Sequence, residues 1–137
     1  MGEPMSMNEY HEFQNRAEYL RATLLRDLAK QCVEDSERWF GDSGKVNDIV
    51  HHSLGLAGET GEFIELVKKV DRGSYKLNDP AVRSRLGDEL ADVFIYVLNL
   101  AGVLGVDLLA EYNRKRTFNE ERFSEQRRER EANADLG

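Results

Sequence analysis

The sequence is poor in the residues that end helices and staple small folds. It has two prolines, Pro4 and Pro80, so long helices are favoured over a turn-rich β fold. It has one cysteine, Cys32, which excludes an intrachain disulfide. A reducing, cytoplasmic location is the simplest expectation. Cys32 also falls within an apolar helical period, where packing is the expected role. No run approaches the roughly 18 apolar residues of a membrane helix. The opening MGEPMSMNEY lacks the apolar segment of a signal peptide, so neither a leader nor a membrane partner is expected. Positive charge is in deficit: 19 Lys and Arg against 26 Asp and Glu give a formal charge of -7. That balance argues against bulk electrostatic binding of nucleic acid. One small polyanion remains compatible with it, because a bound cation can supply the missing charge.

What remains is ample for a core. Hydrophobic residues make up 40% of the 137 positions and charged residues 33%. The apolar period is helical throughout, and nothing alternates with period two over a useful length. A first helix is expected from Ser6, which has capping-box spacing to Glu9. Its stripe runs through Tyr10, Phe13, Ala17, Leu20, Leu24, Leu28 and Cys32 and fades near Trp39. A second helix spans about 47–70, with Gly73 just beyond. Asp79 and Pro80 supply the N-cap and first turn of a third, whose stripe is Leu86, Leu90, Val93, Val97, Leu100 and Leu104. Gly105 ends it. Asp107 caps a fourth helix expected to reach about Glu125. One domain over 1–125 and a charged, flexible tail over 126–137 are expected. Short loops imply antiparallel neighbours.

Two acidic pairs stand out on the inner helices. Glu59 and Glu62 are three apart on the second, in line with His52, Gly55 and Lys69. Glu89 and Asp92 are three apart on the third, followed on the same face by Tyr96 and Asn99. Acidic pairs at this spacing are usually solvated. Here each interrupts an apolar helix, with Leu54, Leu56, Phe63 and Ile64 around the first and Leu90, Val93, Phe94 and Ile95 around the second. Carboxylates gathered between two helices repel one another, and a divalent cation removes that cost. An all-carboxylate set suits Mg²⁺, with Mn²⁺ as substitute, better than zinc. A carboxylate-bridged di-iron bundle would need Glu-x-x-His on two helices, and positions 62 and 92 are Glu and Asp. Gly55, Gly58 and Gly61 lie in the helix interior despite their cost, which points to close approach of a backbone or ligand, or else to a break near Gly58.

At these residues the sequence resembles the MazG family of all-α nucleoside triphosphate pyrophosphohydrolases. Glu59-Thr-Gly-Glu62 is followed, after 26 intervening residues, by Glu89-Leu-Ala-Asp92, as in the family's paired signature. The stretches GLAGETGEFIELVKK and GDELADVFIYVLNLAG, and the opening NEYHEFQNRA, are similar to small single-domain, often phage-encoded members, over about residues 8–123. The resemblance implies a four-helix bundle completed by oligomerisation as a dimer or dimer of dimers. It implies Mg²⁺ on Glu59, Glu62, Glu89 and Asp92, and a nucleotide near Tyr96. It further implies phosphate contacts from Lys68, Lys69, Lys115, Asn119 and Arg122. Read on their own, Lys115, Asn119 and Arg122 share one helical face and combine a cation, an amide and a guanidinium fork, a set able to grip phosphate.

The expected activity is therefore hydrolysis of nucleoside triphosphates to monophosphate and pyrophosphate. Glu62 is the candidate for polarising the attacking water, and Trp39, His51 or His52 for stacking on the base. The competing reading is a non-enzymatic helical assembly protein whose acids are merely surface. A homo-oligomer is expected on a separate ground, because the second and third helices are apolar beyond what their neighbours can cover.

Overall fold

A computed structural model of the protein describes residues 6–42 and 44–134. It contains four helices: α1 (Met7–Phe40), α2 (Lys45–Asp71), α3 (Pro80–Leu104) and α4 (Leu108–Ala134). No strand occurs among the described residues. The helices fall into two compact units, Met1–Gly105 and Val106–Gly137. The expected all-α class therefore holds.

Local chemistry sets the helix ends. Asp79 Oδ1 accepts from the Ala81 amide at 2.9 Å, with Pro80 in the first turn of α3. Gly105 stops α3 in the left-handed region (φ 70°), where a Cβ would be strained. Asp107 Oδ1 accepts from the Ala110 amide at 3.1 Å and so starts α4. Ser6 directly precedes α1, as the capping-box spacing requires; the Glu9 side chain lies outside the described residues. The break considered near Gly58 does not occur, and α2 is continuous through all three glycines.

In the first unit α3 is central, packing against both α1 and α2. Facing pairs fix the direction of α2 against α3. Tyr96 lies against Gly55 and His52, while at the other end Arg85 meets Tyr75 in the loop that follows Lys69. Early residues of α2 thus oppose late residues of α3, an antiparallel pair. Against α1, Gly102 permits close approach. A Cβ there would sit 2.6 Å from Val33 Cγ2 and 3.2 Å from the Ala29 carbonyl oxygen.

The core of this unit is small. Ala29, Leu66, Val82, Leu98 and Ala101 are its buried apolar residues. The stripes of the sequence are covered only in part. Ala17, Leu28 and Cys32 on α1 are half-buried, whereas Phe13, Leu20 and Leu24 are exposed. Leu54, Ile64 and Val67 on α2, and Leu90, Phe94 and Ile95 on α3, are also exposed. The expectation that α2 is largely buried around its acids is thus corrected: within one chain only His52 and Leu66 of α2 are buried. Three helices have too few partner faces to enclose two helices that are apolar on several sides.

The α4 helix, in its own unit, continues to Ala134, well past Glu125. Residues 126–134 contain no Gly or Pro and are rich in helix formers. Ion pairs such as Arg116–Glu120 (3.3 Å) and Arg127–Glu131 (3.6 Å) join successive turns. Among the described residues no single helix is long and apolar enough to cross a membrane.

Candidate metal centre and nucleotide site

The α2–α3 pair brings three of the four candidate carboxylates together. One oxygen each of Glu59, Glu89 and Asp92 lies within 4.8 Å of the others. Glu59 and Glu89 are half-buried and Asp92 is exposed, so the cluster opens to solvent on one side. Glu62 is exposed and stands outside this trio. It is nonetheless close enough to act on Glu59, whose carboxyl is pushed above the usual range. Burial is the largest cause, followed by the charges of Asp92, Glu62 and Glu89. Three neighbouring acids thus burden the ionisation of Glu59, and two of them, Glu89 and Asp92, are positioned to share a ligand with it.

The donor set fits a hard divalent cation. All its atoms are carboxylate oxygens, and the cluster contains no sulfur or imidazole. The raised affinity of Glu59 for a proton marks a place where positive charge is wanted. Glu59, Glu89 and Asp92 are the residues that would hold the ion.

Beyond the trio, toward the start of α2, the same helix pair carries Tyr96 and Gly55. A Cβ at position 55 would run into the Tyr96 ring, so the glycine makes room for the aromatic side chain. Gly58 and Gly61 differ, since a Cβ at either meets nothing within 4 Å. One turn further, the His52 ring lies 6.0 Å from that of Tyr96. His52 and Asn99 are each only 4% exposed. His52 Nδ1 and Asn99 Oδ1 have no hydrogen-bond partner among the described residues, an arrangement proteins rarely leave uncompensated. Burial, then the neighbouring His51, pushes the His52 pKa down, against an opposing pull from Asp48.

The other candidates are placed differently. Lys69 shares the expected face, but its ammonium lies 3.8 Å from Glu65 and 5.8 Å from the Tyr75 ring centre. Lys68 pairs with the same Glu65 at 3.1 Å. Within the second unit, Lys115 and Asn119 line an open groove of about 810 Å³ along α4, together with Arg116, Arg127 and Arg130. Arg122 instead lays its guanidinium over Phe123 at 4.6 Å and Phe118 at 6.0 Å. Cys32 is half-buried with its thiol pKa raised, by burial first and by Asp35 second, consistent with a packing role.

Sequence reasoning missed Phe40. It ends α1, is 74% exposed, and lies 6.1 Å from the His51 ring and 6.4 Å from Trp39. An aromatic residue at a helix end, next to a glycine loop, carries no periodic signal of its own.

Comparison with known proteins agrees with this geometry. A 66-residue segment, 48% of this chain, is 36% identical to the gene 37 protein of Mycobacterium phage L5 and covers 58% of that protein. The match thus spans little more than half of the phage relative. No solved structure is significantly similar. The model of the MazG nucleotide pyrophosphohydrolase domain matches residues 51–112, a stretch that contains His52, Tyr96, Asn99 and all four carboxylates. Over residues 51–112 this chain is thus similar to the MazG nucleotide pyrophosphohydrolase domain.

Proposed function

We propose that the protein hydrolyses nucleoside triphosphates to nucleoside monophosphate and pyrophosphate. Mg²⁺, or Mn²⁺ in its place, would be held chiefly by Glu59, Glu89 and Asp92. The observation that carries this reading is the convergence of three carboxylate oxygens within 4.8 Å at the heart of the matched domain. Bound there, the ion would supply Lewis acidity toward phosphate oxygens and a more acidic water. Glu62 lies outside the trio, next to it in charge but free of the shared cluster. It is therefore the candidate base that takes the proton of the attacking water. Tyr96, between the acids and His52, is the candidate contact for the sugar. Lys115, Asn119 and Arg122 are assigned to phosphate binding on their chemistry. Lys69 is assigned as a weaker contributor, because Glu65 already engages its charge.

Homo-oligomerisation belongs to the same proposal. Exposed Leu54, Ile64, Leu90, Phe94 and Ile95 leave α2 and α3 with apolar faces that soluble monomers rarely present. A second copy would cover them with the same patch. These faces also favour a second reading, a non-enzymatic assembly protein. Metal separates the two. In thermal melting, millimolar Mn²⁺ should raise the melting temperature of the wild type, and Asp92→Asn should lose that response. An unchanged wild-type melting temperature, with no pyrophosphate formed from any nucleotide, would leave the assembly reading standing. The single cysteine and net negative charge fit a reducing compartment and a small nucleotide rather than a nucleic acid as partner.

A further inference from the structure

We infer that His52 is a proton-operated latch on the α2–α3 pair: neutral, it lets the two helices close around Tyr96, and protonated, it drives them apart. His52 is only 4% exposed, although histidine is the side chain that charges in mild acid. Its Nδ1 has no hydrogen-bond partner among the described residues. Its ring lies 6.0 Å from that of Tyr96, which in turn occupies the space that Gly55 leaves open. The link to nucleotide binding rests on the hydrolase reading, in which Tyr96 contacts the sugar; the titration of His52 does not.

The surroundings suit a neutral imidazole and not a cation. Gly55 against Tyr96 sets the antiparallel register, so position 52, three residues earlier, is level with position 99, three residues later. Asn99 is likewise 4% exposed, and its Oδ1 is also unpartnered among the described residues. A neutral amide oxygen does not offset the burial of a full charge. The charged groups acting on His52 lie on its own helix: His51, which opposes protonation, and Asp48, which favours it less strongly. Between Asp92 and its end, α3 carries no ionisable group but Tyr96. On α1, Lys30 pairs with Glu34 and Arg38 with Asp35, and Glu37 is exposed. Burial therefore dominates, and the folded chain holds the His52 proton less tightly than the unfolded one. The contribution of neutral His52 to stability is complete above the ordinary histidine range and is lost as pH falls through it. On protonation Nδ1 becomes a charged donor that needs water, and water reaches it when α2 and α3 part beside Tyr96.

Proton NMR of the full chain, which has three histidines, reads the latch directly. The His52 resonance, identified by its loss in His52→Phe, should titrate below the ordinary histidine value of about 6.5. In EDTA, His52→Phe should gain on the wild type in melting temperature as pH falls from about 7.5 to about 5.5. Glu59 contributes equally to both proteins, so the difference isolates position 52. Asn99→Asp places an opposing charge level with the imidazole. It should raise the His52 midpoint and remove the acid loss, and its shift identifies the same resonance where His52→Phe fails to fold. An ordinary midpoint in the wild type, or a stability difference between wild type and His52→Phe that does not change with pH, overturns the latch.

Kinetics with Mg²⁺ and a nucleoside triphosphate test the link to the site. Across the same pH interval the wild-type KM should rise with a smaller change in kcat, as displacement of Tyr96 requires. His52→Phe should flatten that rise, whereas a change that merely loosened the fold would raise KM at every pH. An equal rise in KM for both proteins overturns the link to Tyr96 while leaving the hydrolase intact. A lowered His52 midpoint without turnover of any nucleotide would support the latch and contradict the hydrolase.

Discussion

Replacing Gly55 by alanine sets a local gain against a tertiary collision. In an isolated helix the change stabilises by up to about 1 kcal/mol, because glycine is the costlier residue. In this fold the new methyl would run into the Tyr96 ring. Tyr96 is half-buried between α2 and α3, with Gly55 on one side and His52 nearby, so its ring cannot turn away freely. Overpacking of this kind costs about 1–3 kcal/mol. The collision should win, leaving Gly55→Ala less stable by about 1–2 kcal/mol, or roughly 3–8 °C in melting temperature for a chain of this size. Gly58→Ala is the internal control: nothing lies within 4 Å of its Cβ, so it should be neutral or gain up to about 1 kcal/mol. Circular-dichroism melts of both variants measure the difference. Adding Tyr96→Ala should rescue Gly55→Ala, because it removes the colliding ring and the two changes are coupled. A Gly55→Ala variant as stable as wild type, or a double variant whose losses simply add, would refute the helix packing on which the site depends.

Glu59 links stability to pH. Its folded carboxyl holds its proton to higher pH than the unfolded one, so the folded state is favoured at low pH, and that advantage is lost as pH rises through the ordinary carboxylate range toward the raised value. In EDTA, Glu59→Gln should therefore match wild type near about pH 4 and be the more stable protein near about pH 7. Equal stabilities at both would remove the case for a crowded acidic site. Glu62→Gln and Asp92→Asn should each abolish turnover while far-UV circular dichroism keeps its helical form, and near wild-type turnover of either under saturating Mg²⁺ would remove that residue's role. Light scattering on the active protein should give at least a dimer mass, and a fully active monomer at micromolar concentration would show that the exposed faces of α2 and α3 need no second copy.

Much of this was legible because it is local. The Asp79–Pro80 start and Gly105 stop of α3 depend on residues a few positions apart, and the structure places both as the sequence implies. The acidic pairs were visible by their three-residue spacing. Which acids converge was not, because that depends on how α2 is rotated against α3. Glu59 faces α3 squarely enough to meet Glu89 and Asp92, while Glu62, nearly a full turn on, does not. Lys69 lay on the expected face, yet an oppositely charged Glu65 four residues earlier captures its charge. Apolar stripes on α1 to α3 read as core. Burial needs a partner face, and the sequence pattern cannot say whether that face belongs to the same chain.

Product analysis tests the central claim most directly. Wild-type protein should be incubated with Mg²⁺ and each nucleoside triphosphate, and the products resolved by anion exchange and phosphorus NMR. The account predicts nucleoside monophosphate and pyrophosphate in equal amounts, with both abolished by excess EDTA and both absent in Asp92→Asn. Diphosphate with orthophosphate, or pyrophosphate release undiminished in EDTA, would contradict it.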